Sequence, residues 1–372
     1  MIKLAQAYFA MKEWRSKLLL EQASRIGYNA IVAFQPENVF YLTHFWGEAV
    51  AICIDNKTKL IAPSLEVDRA LQSSSKECEI IPTERGSEMI STLLSEINGK
   101  VACTDCSDYY IIEDIKNKVS RKSFMVNNEL FFWIRRIKDE EEIKIISKAA
   151  EILDALYKIC TEEIRVGLSE RDLQAKLIFE AMKRGANPPS YRSILNPLII
   201  AGGPNSALPH AEVSDRKFMI GDMIVVDLTL RYFGYIADAT RTFALVSATS
   251  EMKQVYDIVK RSQQAGIDAV NDGVMCYQVD AACRDLIGKC GYGKYFIHST
   301  GHGIGLDVHE PPWLRMKNQE LLEKNMAITI EPGIYLKDKF GVRIEDSVIV
   351  NSPNNRRVIN LNTFTKDLIV LG

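Results

Sequence analysis

Met223-Ile-Val-Val-Asp227-Leu-Thr-Leu-Arg231-Tyr-Phe-Gly234-Tyr-Ile-Ala-Asp238-Ala-Thr-Arg-Thr-Phe243 is the stretch from which the rest of the chain is read. Apolar and β-branched residues dominate on both sides of Arg231-Tyr-Phe-Gly234, which predicts a hairpin turning near Gly234. A turn centred on Tyr232 and Phe233 sets Asp227 directly opposite Asp238. Directly paired side chains on one sheet face have Cβ atoms roughly 4.5–5.5 Å apart. Two ionised carboxylates that close inside an apolar sheet repel unless a cation or a proton lies between them. The plainer alternative is a solvated hairpin face.

The pattern returns about 105 residues later. Ala327-Ile-Thr-Ile-Glu331-Pro-Gly-Ile-Tyr runs through Lys337-Asp-Lys-Phe-Gly341 into Val342-Arg-Ile-Glu345-Asp-Ser-Val-Ile-Val, with Glu331 and Glu345 near-symmetric about the turn. Pro332-Gly333 inside the first strand predicts a bulge that re-aims Glu331. Helical periodicity begins near residues 139 and 169 before the first acid hairpin, and near 250 and 276 before the second. Ser169 and Asp172 have capping-box spacing, and Gly185 stops that helix. A nearly constant offset, far longer than a solenoid period, predicts two α/β half-domains of common ancestry facing each other.

Of five histidines, four lie in the second part of the chain: His210, His298, His302 and His309. Three share His298-Ser-Thr-Gly-His302-Gly-Ile-Gly-Leu-Asp-Val-His309-Glu-Pro-Pro. Glycines around His302 are expected to allow close backbone approach and positive φ. Their Gly301-x-Gly303-x-Gly305 spacing is not a dinucleotide fingerprint. His44, among apolar neighbours, reads as a core or interface residue. Four carboxylates and one imidazole make a mainly oxygen donor set that suits Mn²⁺, Co²⁺ or Zn²⁺. Two such ions ~3.5–4 Å apart can hold a bridging hydroxide and polarise a carbonyl.

Composition narrows the function classes. The 372 residues are 47% hydrophobic and 25% charged with a formal net charge of -2, so the basic excess of a nucleic-acid binder is missing. No apolar run approaches the ~18–20 residues of a spanning helix. Lys12, Glu13 and Arg15 interrupt the only apolar stretch near the N-terminus, which therefore lacks a secretory pattern. Eight cysteines then read as free thiols, with Cys103-x-x-Cys106 an isolated pair and a weak redox or zinc candidate. The expectation is a cytoplasmic protein without membrane or nucleic-acid partners. The first half alternates helices and strands: a helix over residues 7–26 (Phe9, Leu18, Leu19, Ala23), a strand at Ala30–Phe34, a Pro36-Glu37-Asn38 turn, and a hairpin of Val50–Asp55 and Lys59–Pro63. The run Arg135–Glu142 opens a long helix and reads as a solvated first turn, its acids favoured by the helix dipole. These readings divide the chain into domains at 1–130 and 131–372.

The contexts V-D-L-T, D-A-T-R-T, G-H-G-I-G, E-P-G-I-Y and R-I-E-D-S occur in the order found in the pita-bread metallopeptidases, which this chain resembles: methionine aminopeptidase, aminopeptidase P, prolidase and creatinase. The resemblance implies a mixed α/β (α+β) architecture, with an N-terminal creatinase-like domain followed by a pita-bread catalytic domain of pseudo-two-fold halves. It implies two divalent ions, Mn or Co with Zn possible, held by Asp227, Asp238, His302, Glu331 and Glu345. Glu331 would also be the general base, His309 would steady the substrate and its tetrahedral intermediate, and His210 would bind near the scissile amide or the proline carboxylate. Ala211 stands where the family usually has Gly. The Arg136-Ile-Lys-Asp-Glu-Glu-Glu-Ile run resembles the linker helix of prolidase and aminopeptidase P, and residues 7–45 resemble their first domain, which methionine aminopeptidases lack. Creatinases and non-catalytic members have lost metal ligands, whereas all five positions are kept here. The implied activity is Xaa-Pro dipeptidase on short proline-containing peptides, by a hydroxide bridging the two ions, in a homodimer. Xaa-Pro aminopeptidase on longer peptides is the alternative, and a binding protein without catalysis comes from another class. A dipeptidase needs a cation for the proline carboxylate. Arg343 and Arg315 are candidates, Arg343 being equally suited to an ion pair with a ligand carboxylate, and Trp313 occupies a position where some dipeptidases carry Arg.

Overall fold

The computed structural model describes residues 13–74, 77–120, 123–190, 196–351 and 358–372. The chain divides into two compact units, Met1–Arg135 and Arg136–Gly372. In the first, helix α1 (Glu13–Arg25) ends where Gly27 takes a φ of 92°, as a left-handed C-terminal residue does. The part of the expected 7–26 helix before residue 13, with Phe9, lies outside the described residues. Strand β1 (Ala30–Ala33) is wholly buried.

Pro36-Glu37-Asn38 is not a turn but the first turn of helix α2 (Pro36–Thr43), with Pro36 at its N-terminal positions. The fixed φ of proline suits that place, and its missing N–H is no loss there. The Asp105 carboxylate braces this entry, accepting from the Phe34 N–H at 2.6 Å, the Gln35 N–H at 3.1 Å and Asn38 Nδ2 at 2.7 Å. Strands β2 (Val50–Ile54) and β3 (Lys57–Pro63) turn at Asp55-Asn56. Both turn residues have positive φ, 48° and 60°, the twist that favours a two-residue hairpin. The second strand therefore starts at Lys57 rather than Lys59. Helix α3 (Val67–Ser73), strand β4 (Glu79–Thr83), helix α4 (Ser87–Glu96), strand β5 (Ala102–Thr104), helix α5 (Tyr109–Lys118) and strand β6 (Phe124–Val126) complete a sheet of order β4-β3-β2-β1-β5-β6. Helix α6 (Asn128–Arg135) packs on α1, and Arg135 donates to Asn38 Oδ1 at 2.7 Å. For that reason the unit ends at Arg135 and not near residue 130.

The second unit runs twice through helices followed by strands. Helix α7 (Glu140–Glu163) starts with an Asp139/Glu142 capping box, and helix α8 (Glu170–Lys183) with a Ser169/Asp172 one. Strands β7 (Leu198–Gly202), β8 (Met223–Tyr232) and β9 (Tyr235–Leu245) follow, with α7 packed on β8 and β9. Helices α9 (Ser250–Ala269) and α10 (Cys276–Lys289) then pack on each other and lead into β10 (Gly301–Gly303), β11 (Glu310–Leu314), β12 (Ala327–Ile330), β13 (Gly333–Leu336), β14 (Phe340–Arg343) and β15 (Asp346–Val350). With β16 (Val358–Asn360) and β17 (Val370–Leu371), the described strands form sheets of order β17-β9-β8-β7 and β11-β10-β12-β15-β16, plus the β13–β14 pair. Val255, Val259, Cys283, Ile328, Ile330 and Val348 are fully buried in one apolar cluster, each burial contributing roughly 1.5–3 kcal/mol for a large aliphatic side chain.

The charged run at 135–142 is not solvated throughout: Arg135, Lys138 and Glu142 are buried. Among the described residues no helix is long and apolar enough to cross a membrane. All eight cysteines are free. Burial pushes the Cys103 thiol up to about 12 and the Cys106 thiol up to about 11, which suits inert core residues rather than a redox pair. His44 is buried at the C-terminal end of α2.

Candidate active site

Asp227 lies on β8 and Asp238 on β9, but they are not directly opposed. The turn is Phe233-Gly234, both with positive φ (45° and 89°), so Tyr232 pairs Tyr235, Asp227 faces Thr240 and Asp238 faces Thr229. Gly234 takes its positive φ without the strain a side chain would bring, which centres the turn on Phe233-Gly234 and shifts the register by two. The acids stay on one face as diagonal neighbours, ~7–8 Å apart at the backbone. Thr229 Oγ1 donates to Asp238 Oδ1 at 2.9 Å.

In the second hairpin the expected symmetry is present. Ile330 pairs Asp346 and Gly333 pairs Arg343, which places Glu331 opposite Glu345 where the ladder is interrupted. Here the two halves of the unit join: Thr240 and Glu345 form an isolated antiparallel bridge, and Thr240 Oγ1 donates to Glu345 Oε2 at 2.7 Å. Arg241, fully buried, donates to the Glu345 carbonyl at 2.6 Å and to Asp346 Oδ1 at 2.8 Å.

His302 comes from β10, which lies so close to its neighbours that a Cβ on Gly301 would stand 2.0 Å from the Thr329 carbonyl oxygen, and one on Gly303 2.4 Å from that of Pro311. Close approach, and not the expected positive φ, is what these glycines supply; neither is among the positive-φ residues. His302 Nδ1 donates to the Gly303 carbonyl at 3.0 Å, which leaves the Nε2 lone pair facing Glu331 Oε1 at 3.4 Å. Burial, then the neighbouring His309, holds the ring neutral, its pKa lowered to about 3. A neutral imidazole oriented through its other nitrogen is the form that ligates metals.

The carboxylates tell the same story from the other sign. Burial and then mutual repulsion raise Asp238 and Glu345 well above the ordinary range, and burial raises Glu331 to about 8 against the pull of Arg343. Acids buried and clustered in this way need protons or cations between them. Asp238, His302 and Glu345 each bring one ligand atom within 4.8 Å of the others. The residues present therefore fit divalent ions.

These groups line a cavity of about 370 Å³, with Asp227, His210 and His309 also on its wall. The ring of His309 lies 4.4 Å from that of His302 and nearly parallel (14°) to that of Trp313 at 6.3 Å. His210 is exposed at the edge. Arg343 is buried and ion-paired with Asp227, donates to the Tyr335 hydroxyl at 2.6 Å and the Pro209 carbonyl at 3.2 Å, and so is committed to the site's own groups. Arg315 does not join them: it is exposed beyond the end of β11 and absent from the lining. His298 does join them, although the sequence assigned it no role. Its Nε2 bonds the Tyr335 hydroxyl at 2.9 Å, and burial lowers its pKa to about 3. Its place four residues before His302 was the available signal.

Two family models match the chain: "Metallopeptidase family M24" over residues 144–352 and "Creatinase/Prolidase N-terminal domain" over residues 15–137. An Xaa-Pro dipeptidase of Pyrococcus horikoshii is 34% identical over 347 residues, 92% of this chain and 95% of that protein. The structure of an Xaa-Pro dipeptidase from Bacillus anthracis superposes with a TM-score of 0.88 at 31% identity, covering 96% of this chain and 99% of that one. That of an X-Pro aminopeptidase from Thermotoga maritima does so with a TM-score of 0.84 at 30% identity, covering 95% and 99%.

Proposed function

The chain belongs to metallopeptidase family M24, and on that premise we propose that it is an Xaa-Pro dipeptidase, hydrolysing the imide bond before a C-terminal proline. The observation that carries the reading is a cavity on whose wall Asp227, Asp238, Glu331 and Glu345 meet His302, in a chain 34% identical to an Xaa-Pro dipeptidase along nearly its whole length.

Asp227, Asp238, His302, Glu331 and Glu345 would hold two divalent ions, manganese or cobalt first and zinc next, by the oxygen-rich donor set. When bound, such ions polarise the scissile carbonyl and lower the pKa of water. Glu331 Oε, deprotonated when the ions are bound, takes the proton of the attacking water and passes it to the departing proline nitrogen. His309 donates a hydrogen bond to the carbonyl oxygen as negative charge develops there. Trp313, Ile199 and Pro209 give the cavity apolar walls for the pyrrolidine ring, and His210 at its edge meets the proline carboxylate. Arg343 fixes Asp227, and Arg315 is not used. The free thiols, seven of the eight buried, suit the reducing cytoplasm, and the family resemblance supports a homodimer.

Dialysis against EDTA should abolish hydrolysis of Leu-Pro, and Mn²⁺ or Co²⁺ should restore it; activity indifferent to chelation contradicts the reading. Comparison of Leu-Pro with Leu-Pro-Gly separates dipeptidase from aminopeptidase, since release of leucine from the tripeptide means the latter. Light scattering should give about twice the 42.0 kDa chain mass.

A further inference from the structure

Lys138 and Glu310 form an ion pair at 2.6 Å with both side chains 1% exposed, and neither lines the cavity. Glu310 follows His309 directly and opens β11, where it pairs with Gly303. Its carboxylate folds back beneath the loop that carries His309: a Cβ added at Gly305 would stand 2.6 Å from Glu310 Oε1. Lys138 is itself fixed twice more. Its backbone N–H donates to the Asn325 carbonyl at 2.9 Å, and its Nζ donates to the Arg136 carbonyl at 3.2 Å. Its neighbour Ile137 bridges Met326 beside the start of β12.

Attraction within so buried a pair roughly cancels the cost of desolvating it, so net stability does not account for its presence. A short, charge-assisted hydrogen bond does fix position. The first half of the loop is held elsewhere, by the Ile236 N–H on the Gly305 carbonyl at 2.7 Å and by Arg231 on the Leu306 carbonyl at 3.3 Å. The Lys138–Glu310 pair holds its far end, one residue past His309.

We propose that Lys138, acting through Glu310, is a positioning residue that sets the His309 imidazole over His302 and the carboxylate cluster. The kinetic part of this inference rests on the role given to His309 above; the position of the ring does not. The test uses the full chain and the double variant K138M/E310M, which removes both charges together, with E310Q beside it as the isosteric variant that can still accept from Lys138. Imidazole resonances are recorded on EDTA-treated protein, His309 being assigned by its loss in H309N, and kinetics are measured on Mn²⁺-loaded enzyme with Leu-Pro. The double variant is expected to displace the His309 resonances and to lower kcat at least tenfold with KM within threefold, while E310Q keeps kcat within about threefold. A double variant with unchanged His309 resonances and wild-type kcat overturns the proposal. Should the double variant fail to fold, the His309 resonances of K138Q, which lacks the ammonium that Glu310 binds, decide: displacement supports the positioning role and coincidence with wild type overturns it. Wild-type protein inactive on Leu-Pro defeats the dipeptidase reading alone, because the resonance comparison still stands.

Discussion

The two acid hairpins of the second unit reach the same end by different backbones. The β8–β9 hairpin is an unbroken ladder from Met223–Ala244 to Tyr232–Tyr235, and its acids sit diagonally within it. The other ladder stops after Ile330–Asp346 and resumes at Gly333–Arg343, and its acids sit in the break. An intact ladder fixes carboxylates by register, and a broken one frees the strand to re-aim them. The bridge between Thr240 and Glu345 locks one arrangement to the other, so the halves act as one site.

The strongest test of that unity is a double-variant cycle. D238N and E345Q, one from each hairpin, should each lower kcat/KM for Leu-Pro by more than the roughly 10–100-fold that loss of a supporting hydrogen bond costs, and the double variant should be little worse than either. Losses that multiply would mean two independent sites. Next in size is T240V, which removes the hydroxyl donating to Glu345 across the junction; a loss of about 10–100-fold in activity or metal affinity is expected. T229V, which breaks only a bond inside the first hairpin, should cost less, and the reverse order would weaken the claim that the junction matters most.

Stability in EDTA separates the acids from the scaffold. Glu331 is raised to about 8 by burial, and Asp238 and Glu345 rise for the same reason and by mutual repulsion. The folded state then binds more protons than the unfolded one between the ordinary 4.5 of a Glu carboxyl and about 8. Metal-free protein should therefore lose stability as pH rises through that window, and D238N should flatten the loss in urea titrations. Saturating Mn²⁺ should reverse the trend, because the ligands bind it deprotonated. The smallest effects concern backbone approach. G301A, whose Cβ meets the Thr329 carbonyl oxygen, should destabilise by about 1–3 kcal/mol. G288A, in α10 with open space around it, should stabilise by about 0.5–1 kcal/mol, both read by chemical denaturation.

Where local chemistry decides, the sequence was legible. The helix starts near residues 139, 169, 250 and 276 follow from helical periodicity, the one at Ser169 also from its cap, and the two acid-bearing hairpins and the close approach at His302 follow from strand periodicity and flanking glycines. Register was lost by one turn choice: centring on Tyr232-Phe233 ignores that Gly234 takes the left-handed conformation best. Pro36 was read as a turn because the brace that makes it a helix start, Asp105, lies 70 residues away along the chain from Gln35. Lys138 looked solvated because its partner Glu310 is 172 residues distant. Arg343 is drawn to Asp227 and Arg315 is left outside by tertiary placement, which no spacing in the sequence reveals.

Anomalous diffraction from crystals soaked in MnCl₂ tests the shared site most directly. Two manganese peaks about 3.5–4 Å apart, enclosed by Asp227, Asp238, His302, Glu331 and Glu345, are what a junction of two acid hairpins predicts. Absence of manganese from this cavity, with the five side chains otherwise as described, would contradict it.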